Sequence, residues 1–136
     1  MSTPKTEFVK ARVLIVDDER SMAEMIADDL VGRGYDAIAE KSARRAAHLL
    51  EDASIDVLIT DLRMPEMDGT TLKALIEERL PRLRGRVIYC TGDTANPATQ
   101  ALLRSTPLPV IEKPFLAEDI EGAVRRLVAA TEGPRA

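Results

Sequence analysis

The chain has 136 residues, 45% of them hydrophobic and 31% charged, which is typical of one folded domain rather than of a disordered chain. Its net charge of −4 at pH 7, with only two Phe and two Tyr, argues against direct binding of nucleic acid. The first ten residues are polar, which argues against a signal peptide, and the hydrophobic runs are only strand-sized, which argues against a membrane span. The single Cys90 argues against a disulfide framework. Together these features predict a cytoplasmic protein.

Five short hydrophobic runs predict five β-strands. They lie at residues 12–16, 36–40, 56–60, 86–90 and 108–112. Because a segment with helical periodicity follows each run, the strands are expected to pair in parallel through right-handed crossovers, with helices on both faces of the sheet. The continuous runs VLIV and VLIT predict central strands, whereas Pro107 and Pro109 predict that the fifth strand lies at an edge.

The segments between and after these runs predict five helices. In the first, Met22, Met25, Ile26 and Leu30 have the spacing of one buried face. Glycines at positions 32 and 34 are expected to end this helix in a left-handed conformation, and the serine at position 42 to cap the second helix. At the start of the last helix, Leu116 replaces the usual capping Asp or Ser, so a weaker cap is predicted.

Polar residues follow four of the five predicted strands. Asp17 and Asp18 follow the first, Asp61 the third, Thr91 the fourth and Lys113 the fifth. Because the carboxyl ends of parallel strands share one edge of a sheet, we expect these five side chains to meet there. A divalent cation together with the lysine would balance the three mutually repelling carboxylates. Oxygen ligands favour a hard ion, so Mg²⁺ is predicted, with Mn²⁺ as the alternative.

Four motifs, in this order and at this spacing, resemble the receiver domains of two-component response regulators. They are VDDE at 16–19, TDLRMPEMDG at 60–69, TGD at 91–93 and EKPF at 112–115. The TGD and IEKPF forms are most similar to receivers of hybrid histidine kinases or single-domain regulators. The resemblance implies a flavodoxin-like, doubly wound α/β fold with strand order 2-1-3-4-5 and five helices. We expect the domain at residues 11–130, a flexible tail at 1–10 and a C-terminal tail at 131–136.

The resemblance also implies the chemistry of the site. Asp61 would accept a phosphoryl group, in a reaction that requires Mg²⁺, from a histidine kinase or a phosphotransfer protein. Asp18, Asp61 and the backbone carbonyl of Arg63 would hold the metal, and Asp17 would take part directly or through water. The domain would promote its own phosphorylation and dephosphorylation without being an enzyme that acts on a separate substrate.

Further positions are implied to act after phosphorylation. Thr91 would donate its hydroxyl to a phosphoryl oxygen, Lys113 would neutralise the added charge, and a cis peptide bond before Pro114 would position the lysine. Receivers usually carry an aromatic residue three positions before this lysine, which changes rotamer when the threonine moves, but this chain has Val110 there. Tyr89 is interpreted as a core strand residue rather than as its replacement.

Arg63 and Asp93 are predicted to modulate the loss of the phosphoryl group. They lie two residues after Asp61 and Thr91, and their opposite charges predict a pairing across the entrance for water; two solvated loop residues are the alternative. The expected output is altered contact with an unidentified downstream protein. No contact with a membrane is expected, and the formation of a homodimer is left open. The alternative functions are a degenerate receiver acting as a scaffold, an aspartyl-nucleophile phosphatase, and a nucleotide-binding domain, although no glycine-rich phosphate loop is present.

Overall fold

The computed structural model describes residues 10–52, 55–61, 74–76, 78–92, 97, 100–101, 104, 110–113 and 115–131. The strands are β1 (Arg12–Val16), β2 (Asp36–Glu40), β3 (Val57–Asp61), β4 (Val87–Thr91) and β5 (Val110–Glu112). The helices with defined bounds are α1 (Arg20–Gly32), α2 (Ala43–Asp52) and α3 (Ala117–Thr131), and a 3-10 turn spans Pro81–Leu83. Further helical residues occur at 74–76, 78–79, 97, 100–101 and 104, where the third and fourth helices are predicted.

The five strands form one parallel sheet in the order β2-β1-β3-β4-β5. This confirms the predicted doubly wound topology and the edge position of the fifth strand; Pro107 and Pro109, which suggested it, lie outside the described residues. Strands β3 and β4 each begin and end one residue later than predicted, so Asp61 and Thr91 are still paired within the sheet. The sheet therefore holds the backbone of both residues at its carboxyl edge.

Alternating side chains of the strands build a hydrophobic cluster on each face of the sheet. On one face, Ile15 and Ile59 pack with residues of α1 and α3. On the other face, Leu14, Leu58 and Tyr89 pack with residues of α2. All five of these side chains are buried. Burial on both faces explains why the central strands read as continuous hydrophobic runs rather than as alternating ones.

One prediction about the buried face of α1 is wrong. Met25 was expected to point into the core, but its side chain is 54% exposed. The buried face instead consists of Ala23, Ile26, Ala27 and Leu30. These positions follow the spacing of three and four residues that a helix face requires, and the two alanines carried too little hydrophobic signal to be noticed.

No helix of the described residues is long and hydrophobic enough to cross a membrane.

The end of α1 has the predicted left-handed cap. Gly34 has φ +98°, a conformation in which a Cβ atom is strained. The amide of Gly34 donates to the carbonyl of Val31 at 3.1 Å, and the amide of Tyr35 donates to the carbonyl of Leu30 at 3.0 Å. These two bonds form a Schellman motif, which turns the chain into β2.

Two helix starts also bear on the predictions. Ser42 caps α2 as expected, since its Oγ accepts a hydrogen bond from the amide of Arg45 at 3.2 Å. Leu116 offers no side-chain oxygen at the start of α3. Asp119 instead accepts the amide of Leu116 at 3.0 Å, which satisfies one donor of the helix terminus.

Candidate functional site

Five residues named from the sequence lie at the carboxyl edge of the sheet. Asp17 and Asp18 directly follow β1, Asp61 and Thr91 are the last residues of β3 and β4, and Lys113 directly follows β5. The parallel pairing of β1, β3, β4 and β5 brings these strand ends side by side. Thus the order of the strands, rather than proximity in sequence, gathers the site.

The three aspartates form a compact acidic cluster. One carboxylate oxygen from each of Asp17, Asp18 and Asp61 lies within 4.8 Å of the other two. Asp17 is buried, Asp61 is half-buried and Asp18 is exposed. The pKa of Asp18 is raised by partial desolvation of its carboxyl group at the sheet edge and by the negative charges of Asp17 and Asp61. An all-oxygen donor set at this spacing fits a hard divalent cation, which would relieve that repulsion.

Lys113 joins two of these carboxylates. Its Nζ donates to Oδ2 of Asp17 at 2.9 Å and to Oδ2 of Asp61 at 3.0 Å. Partial burial alone would lower the pKa of Lys113, but the hydrogen bonds and charges of the two aspartates outweigh it and raise the pKa. The lysine is therefore charged at neutral pH, and its side chain is only 17% exposed. Charge-assisted bonds of this kind fix the ammonium group beside Asp61.

Asp17 is held at both of its oxygens. Oδ2 accepts from Lys113, and Oδ1 accepts from the backbone amide of Glu19 at 2.9 Å. The contact with Glu19 was missed by the sequence analysis because a backbone donor leaves no residue-type signal. Only the geometry of the turn between β1 and α1 reveals this hydrogen bond.

Three residues lie near Asp61 at the ends of β3 and β4: Thr60, Cys90 and Thr91. Thr91 is buried, and its carbonyl accepts the amide of Lys113 at 2.7 Å, which ties the end of β4 to the lysine. Thr60, which sequence reasoning did not single out, donates its hydroxyl to the carbonyl of Asp61 at 3.0 Å. Cys90 pairs with Asp61 across the strands, and burial raises the pKa of its thiol to about 12, so it stays neutral, as expected of a strand hydrophobe.

Some predicted site residues lie outside the described residues. These are Arg63, with both its backbone carbonyl and its side chain, Asp93 and Pro114. Their roles stay predictions. Val110 is described: it is half-buried on the edge strand β5 and pairs with Tyr89, which is fully buried as expected of a core residue.

The fold and this cluster define a class of signalling domain. The family model of the response regulator receiver domain matches residues 13–125. The chain therefore belongs to the response regulator receiver domain family of two-component systems.

Individual relatives agree with this assignment. The chain is 33% identical over 116 residues to the chemotaxis protein CheY of Bacillus subtilis (strain 168), covering 85% of this chain and 95% of CheY. It is 35% identical over 115 residues to the regulatory protein AtoC of Escherichia coli (strain K12), covering 85% of this chain but only 24% of AtoC, so it spans about a quarter of that relative. The signal receiver domain of a signal transduction histidine kinase from Syntrophus aciditrophicus superposes with a TM-score of 0.80 at 27% identity, covering 93% of this chain and 96% of that domain.

Proposed function

We propose that the chain is a phosphoacceptor: Asp61 takes a phosphoryl group in a magnesium-dependent reaction, and the modified domain signals through altered protein contacts. The observation that supports this most is the convergence of Asp17, Asp18 and Asp61 within 4.8 Å, with the Lys113 ammonium bonded to two of them. A carboxylate nucleophile, a site for a hard cation and a fixed positive charge are what such a transfer needs.

The metal would be held by Asp18, Asp61 and the carbonyl of Arg63. Both oxygens of Asp17 already accept hydrogen bonds, which favours a water-mediated contact for Asp17 over direct ligation. When bound, Mg²⁺ would neutralise the carboxylates and the oxygens of the transferred group.

In this proposal, Asp61, Lys113 and Thr91 carry out the transfer. A carboxylate oxygen of Asp61 attacks the phosphorus of a phosphohistidine on a histidine kinase or phosphotransfer protein. A P–O bond forms, the P–N bond breaks, and its electron pair returns to the imidazole nitrogen. Lys113 balances negative charge beside Asp61, and the Thr91 hydroxyl donates to a phosphoryl oxygen of the product. The donor supplies the energy, so the receiver contributes chiefly position and charge.

The experiment is incubation of the full chain with acetyl phosphate and Mg²⁺, followed by intact mass measurement. We expect a gain of one phosphoryl group that is absent in Asp61→Asn and absent when the metal is chelated. A chain that gains no mass, with Mg²⁺ present and the fold intact, would instead be a scaffold receiver.

We further propose that Arg63 and Asp93 pair and slow hydrolysis of the aspartyl phosphate. The support is their opposite charge two residues beyond Asp61 and Thr91, at two neighbouring strand ends. Arg63→Ala should lose its phosphoryl group several-fold faster than the wild type in a decay measurement. An unchanged rate would show that the two side chains are merely solvated.

A further inference from the structure

Three cations at the start of α2 form an exposed basic surface. Lys41 directly follows β2, and Arg44 and Arg45 lie in the first turn of the helix. All three residues are exposed. We propose that these residues, which we call the α2 basic surface, form a docking site for an acidic segment of a partner protein. The inference goes beyond the proposed function, because docking does not require phosphorylation of Asp61.

The charges of the α2 basic surface are not neutralised by nearby carboxylates. Among the residues that the structure describes, no carboxylate forms an ion pair with any of the three cations. The next acidic residues along the chain on either side have other partners. Oε2 of Glu40 accepts the backbone amide of Ser42 at 3.0 Å, and Oε1 of Glu51 pairs with Nη1 of Arg79 at 3.0 Å. The surface therefore keeps its positive charge available for a partner.

Other helices of the chain compensate their arginines internally. Three exposed arginines on or next to α1 and α3 each pair with a carboxylate four residues away: Arg20 with Glu24 at 3.1 Å, Arg33 with Asp29 at 2.9 Å and Arg125 with Glu121 at 2.9 Å. Pairs with this spacing stabilise a helix. Arg44 and Arg45 have no such partner, so their charges add nothing of this kind to the stability of α2.

The charges of α2 also oppose its own helix dipole. Negative side chains are favourable in the first turn of a helix and positive ones in the last. The first turn of α3 follows this rule with Glu118 and Asp119, whereas the first turn of α2 has no acidic residue and its last turn has no basic one. Arg44 and Arg45 are thus placed against local stability. Departures of this kind are expected where a surface serves function.

The α2 basic surface adjoins the edge of the sheet that carries the candidate site. Glu40, the last residue of β2, pairs with Val16 at the end of β1. The amide of Asp17 donates to the carbonyl of Glu40 at 3.1 Å, and Lys41 is the next residue along the chain. A segment docked on α2 would therefore lie on the β2 side of the candidate site.

The size and surroundings of this surface favour a short acidic protein segment over a nucleic acid or a membrane. Arg44 and Arg45 share one helical turn, which is about 5.4 Å long, so a few carboxylates suffice to match them. A DNA duplex or an anionic bilayer presents an extended array of negative charge. Such an array would also face the neighbouring carboxylates of Asp17 and Asp18, on a chain whose net charge is −4.

The test measures binding of a fluorescein-labelled oligoglutamate peptide to the full chain by fluorescence anisotropy, with oligoglutamine of the same length as the control peptide. The variant Arg44→Gln/Arg45→Gln removes two unpaired cations. Its matched control, Arg20→Gln/Arg33→Gln, removes two paired cations and changes the net charge equally. We expect the first variant to lose affinity several-fold, the control to keep the wild-type affinity, and added salt to weaken wild-type binding.

Two further measurements keep loss of docking apart from loss of folding or of phosphorylation. The Arg44→Gln/Arg45→Gln variant should unfold at no lower urea concentration than the wild type, because the helix dipole opposes both cations. It should also gain a phosphoryl group from acetyl phosphate as the wild type does. Failure of the wild type to be phosphorylated would overturn the proposed function and leave the docking result standing.

Four outcomes would overturn the docking proposal. The first is that the wild type does not bind oligoglutamate at low ionic strength, and the second is that both variants lose affinity equally. The third is tighter binding to duplex DNA or to vesicles of phosphatidylserine and phosphatidylcholine than to the peptide. The fourth is self-association of the wild type that Arg44→Gln/Arg45→Gln abolishes, which would assign the surface to a second copy of this chain.

Discussion

Asp18 shows how the charge of the candidate site opposes folding when no metal is bound. Its pKa is raised by partial desolvation of the carboxyl group and by the charges of Asp17 and Asp61, so the folded state binds the Asp18 proton more tightly than the unfolded state does. Stability therefore falls as pH rises through the window between the ordinary pKa of 3.8 and the raised value. Above that window, at neutral pH, the full cost of the ionised Asp18 is present.

Replacement of this carboxylate should stabilise the metal-free protein. Asp18→Asn is expected to raise the free energy of unfolding at pH 7 in EDTA, because it removes one of three repelling charges. The gain should vanish as pH falls toward 3.8, where the wild-type carboxyl is protonated as well. Saturating Mg²⁺ should stabilise the wild type more than the variant, because ligand binding adds to stability. Urea denaturation at several pH values checks this, and equal stability in EDTA at pH 7 would contradict it.

For individual residues, a position at the end of a strand decided which members of the candidate site could be predicted from the sequence. Asp17, Asp18, Asp61, Thr91 and Lys113 were found because each follows or ends a hydrophobic run, and parallel pairing makes such ends neighbours. The bonds that orient them were not predictable. The double contact of the lysine and the backbone donor to Asp17 depend on side-chain geometry that residue types do not encode.

The elements themselves were predictable wherever hydrophobic periodicity was strong. The central strands β1, β3 and β4 were located to within one residue, because runs buried on both faces leave an unambiguous signal. The partly buried edge strands β2 and β5 were located to within two residues. The face of α1 was partly misjudged at Met25, since alanines that allow close packing against the sheet contribute little to a hydrophobic pattern. Side-chain exposure of this kind is decided by tertiary packing rather than by propensity.

The glycine that ends α1 offers a matched pair of substitutions. Gly34→Ala should lower the free energy of unfolding by about 1–2 kcal/mol, because φ +98° strains any residue with a Cβ atom. Gly32→Ala is the control: a Cβ at position 32 meets no atom within 4 Å. It should raise stability by up to about 1 kcal/mol through better helix propensity. Thermal or urea unfolding of both variants measures these changes. Equal changes in the free energy of unfolding would show that the cap does not depend on Gly34.

At the scale of the whole molecule, a buried hydrogen bond ties the last helix to the first half of the chain. The hydroxyl of Tyr35 donates to Oε2 of Glu121 at 2.9 Å, across 86 residues of sequence. Glu121 also accepts from Arg125 at 2.9 Å, and its side chain is only 7% exposed. Burial and the neighbouring Glu121 raise the pKa of Tyr35 to about 12. No periodicity in the sequence could have paired these two residues.

Tyr35→Phe should lower the free energy of unfolding by about 1–3 kcal/mol, because a buried carboxylate loses a donor. The raised pKa also sets a pH dependence. The contribution of Tyr35 is fully present below the ordinary tyrosine pKa of about 10 and is lost as pH rises toward 12. The stability difference between wild type and variant should therefore shrink over that interval. A difference that is constant from pH 8 to 12 would contradict the assigned bond.

The most direct measurement on the whole molecule is the location of the phosphoryl group. After incubation with acetyl phosphate and Mg²⁺, borohydride reduces an aspartyl phosphate to homoserine, and peptide mass spectrometry finds its position. The carboxylate cluster and Lys113 predict homoserine at position 61 alone, and only when Mg²⁺ is present. Trapping at another residue, or at position 61 to the same extent without metal, would contradict the proposed role of the site.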